Sequence, residues 1–190
     1  MDLVDQIETT RFLGREFLLW LWFKSELYET QFQRPDGDTL ELWLDSQLTL
    51  QSASDNGERA VLKGVAPSGT QEAKVALQHG KLPIRARISA VVGTSAFAFS
   101  FDADSFALTL IKLPEVTTKD TDEKLFERLS LLQMLDEVVL EQYQEFLTLR
   151  LSELWEGEFV PAILAWSCGE PSLSPRAYRG MLQRAGRATN

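Results

Sequence analysis

The residues able to do chemistry are few. The chain has one histidine, His79 in LQHGK, and one cysteine, Cys168, far apart in the sequence. A zinc site or a Cys–His nucleophile pair needs more than this. A helix C-terminus favours a cation, so His79 reads as a helix-end histidine. The patterns GxxxxGK[ST], GxGxxG and HExxH are absent, and Gly14 and Gly64 stand alone. Asp102 and Asp104 in FDADS could share a metal, but the same spacing is common turn chemistry at a strand end. A nuclease would bring several carboxylates together on Mg²⁺. No catalytic residue, metal or cofactor is therefore assigned.

The basic residues carry more information. Lys81, Arg85 and Arg87 alternate with Leu82, Ile84, Ala86 and Ile88. With a period of two, the cations share one strand face and the apolar residues the other. Arg59 and Lys63 share a parity on their own strand, and Lys74 lies on an intervening helix. Such a row neutralises several phosphates without reading base sequence. The competing reading is ordinary charge pairing with an acidic helix. Net charge is −9 but uneven: 59–87 holds six basic residues and one acid, 115–158 holds twelve acids and four basic residues, and 171–190 holds four arginines and no acid. An acidic total argues against a protein coated in nucleic acid, not against one with a local basic surface.

The elements that must position these groups follow from pattern. A chain of 190 residues can bury a real core. The longest apolar run, Phe17–Phe23, is far shorter than the roughly 20 residues of a membrane span. The acidic start, MDLVDQIETT, does not read as an export signal, and one cysteine suits a reducing cytoplasm. Thr9 or Thr10 is expected to cap a helix over about Phe12–Glu26, apolar nearly all round and so buried on more than one side. QRPDGD and SASDNGE, with Asn56-Gly57, read as turns. Leu40–Leu44 and Gln47–Gln51 read as a hairpin turning near Asp45 and Ser46, and Arg59–Val65 as a third strand. Pro67–Gly80 reads as a short helix capped by Ser68 or Thr70 and closed by Gly80, with Ala73, Ala76 and Leu77 on its apolar face.

Pro83–Val92, Ala96–Asp102 and Phe106–Leu113 read as strands, with Phe97, Phe99 and Phe101 on one face. Asp120 and Glu123 resemble a capping box opening a helix from Asp122 to about Leu151. Its apolar face is Leu125, Leu129, Leu132, Leu135, Val139, Tyr143 and Phe146. VPAILAW suggests a last strand. The expected fold is α+β: a mostly antiparallel sheet of about five to seven strands, with a buried Trp-rich N-terminal helix, a short helix and one long amphipathic helix. Residues 1–167 form one domain, and 168–190 a flexible basic tail.

The order KGVAPSGTQEAKVALQHGKLPIRARISAVV…FAFSFDADSFALTLIKLPE resembles the C-terminal part of the RdgC family of bacterial recombination-associated proteins. LGREFLLWLWFKSE upstream suits divergent members, and the similarity covers roughly Phe12–Arg150. Gly80, Lys81, Arg85, Ile111, Lys112, Leu113 and Pro114 carry it. The resemblance implies a cytoplasmic, nucleoid-associated homodimer, ring-shaped around double-stranded DNA, that restrains the RecA recombinase and has no established enzymatic activity. It extends a DNA-facing role to Lys81, Arg85 and Lys112. Typical members carry an N-terminal half before this region, whereas this chain begins almost at the Trp-rich helix. Encirclement of DNA is not carried over if ring closure needs that half.

The leading expectation is thus a duplex-DNA-binding protein without sequence preference, contacting DNA through Arg59, Lys63, Lys74, Lys81, Arg85, Arg87 and Lys112. The alternative is a dimerising protein-interaction module without DNA contact. A metal-dependent nuclease using Asp102 and Asp104 comes last.

Overall fold

A helix apolar on every side is stable only when something covers every side. In the computed structural model, which describes residues 3–28, 31–34, 37–52, 58–118 and 120–188, this is the position of α1 (Leu3–Leu27). Phe17 to Phe23 are all buried. One side of α1 lies on a six-stranded antiparallel sheet, where Phe17 meets Phe101 edge-on. Its other sides meet later helices: Phe17 and Trp20 pack on Phe146, Phe23 on Phe159, and Trp22 on Trp166. The fold is α+β.

The sheet consists of β1 (Gln31–Gln33), β2 (Thr39–Ser52), β3 (Arg59–Lys63), β4 (Lys81–Val92), β5 (Ser95–Asp102) and β6 (Ala107–Lys112), in the order β1-β2-β4-β5-β6. β3 also pairs with β2, further along the β2 edge that holds β1. Leu40, Leu42, Leu44, Leu48 and Leu50 of β2 and Ala86, Ile88 and Ala90 of β4 are buried beneath α1. The crossover from β3 to β4 carries a 3₁₀ turn (Pro67–Gly69) and α2 (Gln71–Gln78). Thr70 caps α2 by accepting from Ala73 N, and Gly80 closes it at φ +76. Ala73 is buried as expected.

α3 (Thr121–Arg150) starts at Asp120, whose carboxylate accepts from the amides of Asp122 and Glu123. The capping box is only half made, because Glu123 accepts from Thr118 Oγ1. α3 buries Leu135, Val138, Gln142, Phe146 and Leu149. This stripe is rotated from the expected one, and Leu125, Leu129 and Leu132 stay exposed. Buried Lys24 of α1 ties the two helices together, its Nζ 2.9 Å from Gln142 Oε1 and 2.7 Å from Glu145 Oε2. Burial lowers the Lys24 pKa, and Glu145 partly offsets this.

Four expectations are corrected. The helix expected from Phe12 already runs from Leu3, so Thr9 and Thr10 lie within it rather than at its cap. The expected hairpin is one continuous strand, β2, with a bulge at Asp45–Gln47. Its polar groups are satisfied in place: Ser46 O accepts from Gly64 N, and Asp45 from Ser89 Oγ. VPAILAW is helical, following a π turn (Trp155–Phe159) as α4 (Val160–Ser167), with Pro161 in the first turn, where it fits. The expected tail contains α5 (Pro175–Ala188), begun by Ser174, whose Oγ accepts from Ala177 N. The expected Asn56-Gly57 turn and the Pro35-Asp36 step lie outside the described residues.

α5 is tied to the core. Tyr178, Met181 and Ala185 are fully buried, and Tyr178 Oη accepts from Trp20 Nε1 at 3.0 Å and donates to Glu145 at 2.9 Å. Burial, then the Glu145 charge, holds the Tyr178 phenol well above its ordinary pKa. Tyr178→Phe leaves the buried Trp20 N–H unpaired and should destabilise the protein by about 1–3 kcal/mol in urea unfolding; a loose tail would give no change. Among the described residues, no helix is long and apolar enough to cross a membrane.

Candidate nucleic-acid interface

Strand pairing decides which cations share a face, because residues paired across antiparallel strands point the same way. The leucines of β2 face α1. On the opposite face Gln51 pairs with Arg59, Thr49 with Val61 and Gln47 with Lys63. Thr49 also pairs with Arg85, and Arg85 with Asp102. Arg87 pairs with Ser100, and Ala98 with Lys112. Arg59, Lys63, Arg85, Arg87 and Lys112 therefore stand together on the face turned away from α1. Among the described residues, Glu41, Asp45 and Asp102 are the carboxylates that share it.

Two expected members are elsewhere. Thr49–Arg85 is followed by Leu50–Pro83, so Ile84 is an extra residue and the parity of β4 reverses there. Lys81 pairs with Ser52 on the side of Leu50 and forms an ion pair with Glu58 at 3.2 Å. It does not share a face with Arg85 and Arg87, as plain alternation predicts. Lys74 sits on α2 on the helix side, 3.1 Å from Glu26 and over the Trp166 ring.

The five cations are not equally available. Arg85 is bonded to Asp102 through Nε and Nη2. Burial pushes the Asp102 pKa up, but hydrogen bonds from Arg85 and Ser105 outweigh it and hold the carboxyl below its ordinary value. Arg59 donates to Gln51 at 3.1 Å. Arg87 reaches across β5 to the Leu110 carbonyl at 2.7 Å. That carbonyl is presented by a third bulge, where Leu110 takes φ +51. This bond leaves the Arg87 charge uncompensated. Lys63 and Lys112 have no carboxylate partner among the described residues. Between the cations lie small residues, Ala96, Ala98 and Ser100, which keep the middle of the face low.

Trp43 is the residue that pattern reading missed. Trp20, Trp22, Trp155 and Trp166 join the aromatic core, whereas Trp43 is half-buried and paired with Ser89 on the basic face. Its odd position in β2, opposite in parity to the buried leucines, is the signal that could have found it.

Other features are already occupied. Asp102 and Asp104 are drawn to different cations, Asp104 to Arg15 at 2.7 Å. Among the described residues, no group of three or more His, Cys, Asp or Glu could hold a metal. A cavity of about 500 Å³ opens beside Lys24, Tyr28, Phe32, Glu145 and Arg179. Lys24 is bonded there to Gln142 and Glu145, and Tyr28 Oη donates to the Pro175 carbonyl. No family model, curated protein or solved structure matches this chain.

Proposed function

We propose that the chain binds double-stranded DNA without sequence preference through the outer face of the sheet. One observation carries this reading: Arg59, Lys63, Arg85, Arg87 and Lys112 gather on the one sheet face that α1 and α2 leave open, in a chain of net charge −9. Phosphate binding needs cations at reach, not base-reading groups, and such contacts are sequence-independent. The RdgC resemblance extends the proposal to a homodimer acting in recombination or replication by limiting RecA access to DNA. The test is anisotropy of a labelled random duplex at low and at moderate salt.

Asp102 gives a prediction of unusual sign. Asp102→Asn frees the Arg85 charge and removes an anion from the face. Duplex binding should tighten by roughly threefold or more, with a salt slope steeper by about 0.9. A metal-dependent nuclease would instead lose its cleavage of the same duplex. Unchanged affinity would remove Arg85 from the interface.

A second reading rests on α3. Its first half stands clear of the core, with Leu125 56%, Phe126 67% and Leu129 52% exposed, and with exposed Leu110 on the edge strand β6. Exposed apolar clusters mark partner surfaces, which fits a protein-interaction module. A strictly monomeric chain in sedimentation that also lacks DNA binding would disfavour both readings.

A further inference from the structure

α5 has two faces. Tyr178, Met181 and Ala185 are buried on one. Helical spacing places Arg176, Arg179 and Arg187 in a row on the other, where all three are exposed. The row spans roughly 16 Å at 1.5 Å per residue. Arg184, on the flank, is paired with Glu158 at 2.6 Å. None of the three has a carboxylate ion-pair partner among the described residues, although the chain is acidic overall; Arg179 contacts the Pro175 carbonyl of its own helix at 3.4 Å and its charge acts on the Tyr28 phenol across the cavity. The row is held outward, because Tyr178 is fixed on the opposite side by Trp20 and Glu145.

We propose that this row is a second phosphate-binding surface, so that one chain holds two duplex segments and bridges them. The inference rests on the duplex-binding reading of the sheet face. α1 separates the two surfaces, packing on the sheet with one side and touching α5 through Trp20 with another. α5 lies on the α1 side of the sheet, its N-terminal end near the edge strand β1, where Pro175 and Arg179 share a cavity with Phe32. A straight duplex on one surface does not reach the other. A membrane is the poorer partner, because a surface helix inserts its apolar face into lipid and the apolar face of α5 is spent on the core.

The test is capture of a labelled duplex by bead-bound duplex in the presence of the full chain, beside direct binding of a single duplex and of phosphatidylserine vesicles. Arg176→Gln/Arg179→Gln/Arg187→Gln should keep the unfolding midpoint and most of the single-duplex binding, while capture falls by about tenfold or more. Capture equal to wild type in this variant overturns the assignment to α5. A wild-type chain that binds duplex but never captures a second one overturns bridging and leaves the sheet-face reading standing. A wild-type chain that binds no duplex overturns both. Vesicle binding that depends on the three arginines, without duplex capture, gives α5 to lipid and overturns the proposal.

Discussion

Lys63→Glu/Arg87→Glu/Lys112→Glu is expected to weaken binding of a random duplex at low salt by at least about 100-fold, equivalent to about 2.7 kcal/mol. None of these three cations has a carboxylate partner among the described residues. Each lost phosphate contact flattens the plot of log K against log salt by about 0.9, so the slope should fall by roughly 2.7. Each glutamate also adds repulsion. Lys63 and Lys112 are exposed on the sheet surface, so stability should change by only about 0.5 kcal/mol at each, while losing the Arg87–Leu110 bond costs about 1 kcal/mol. Affinity that falls equally with Lys74→Glu/Lys81→Glu, both on the other side of the sheet, would mean that general charge and not this face governs binding.

Gly14→Ala should destabilise the protein although alanine is the better helix former. At Gly14, α1 passes against the turn after β5, and a Cβ there would overlap the Ala103 carbonyl and crowd the Phe106 ring. The turn cannot easily retreat. Ala103 is fully buried and its N–H is bonded to Ile84 O at 2.9 Å, while the neighbouring residues are clamped by the Arg15–Asp104 ion pair. Alanine gains about 1 kcal/mol in helix propensity. Overpacking costs about 1–3 kcal/mol or more, and here the obstacle is backbone. A net loss of about 2 kcal/mol, read as a lower urea midpoint with unchanged slope, is expected. A stabilised Gly14→Ala would mean that α1 does not approach this turn so closely.

Much of this architecture is legible in the residues, for physical reasons. FLLWLWF has no polar side and must be enclosed, and α1 is. Phe97, Phe99 and Phe101 alternate with small residues and line the core side of β5. Thr70, Gly80 and Asp120 act at the helix ends where their chemistry suits them. Bulges are different, because they depend on the partner strand. Asp45–Gln47 looks like a turn until Gly64 and Ser89 satisfy it. The extra residue Ile84 turns Lys81 away from Arg85 and Arg87 against simple alternation.

In the C-terminal segment Pro, Gly and Arg dominate the composition and hide the helix. The start Ser174-Pro175 and the spacing of Tyr178, Met181 and Ala185 carry the helical signal, and their burial against Trp20 and α3 outweighs that composition. The basic face is half visible: parity pairs Arg59 with Lys63 on β3 and Arg85 with Arg87 on β4, but only the register through Thr49 puts both pairs on one face, and Trp43 and the arginine row of α5 emerge only from packing.

The most direct measurement is the salt dependence of wild-type binding to a random duplex. With four to five cations on the sheet face meeting phosphates, log K should fall against log salt with a slope of about −4. Binding that ignores salt, or no binding at low salt, would contradict a phosphate-contacting sheet face.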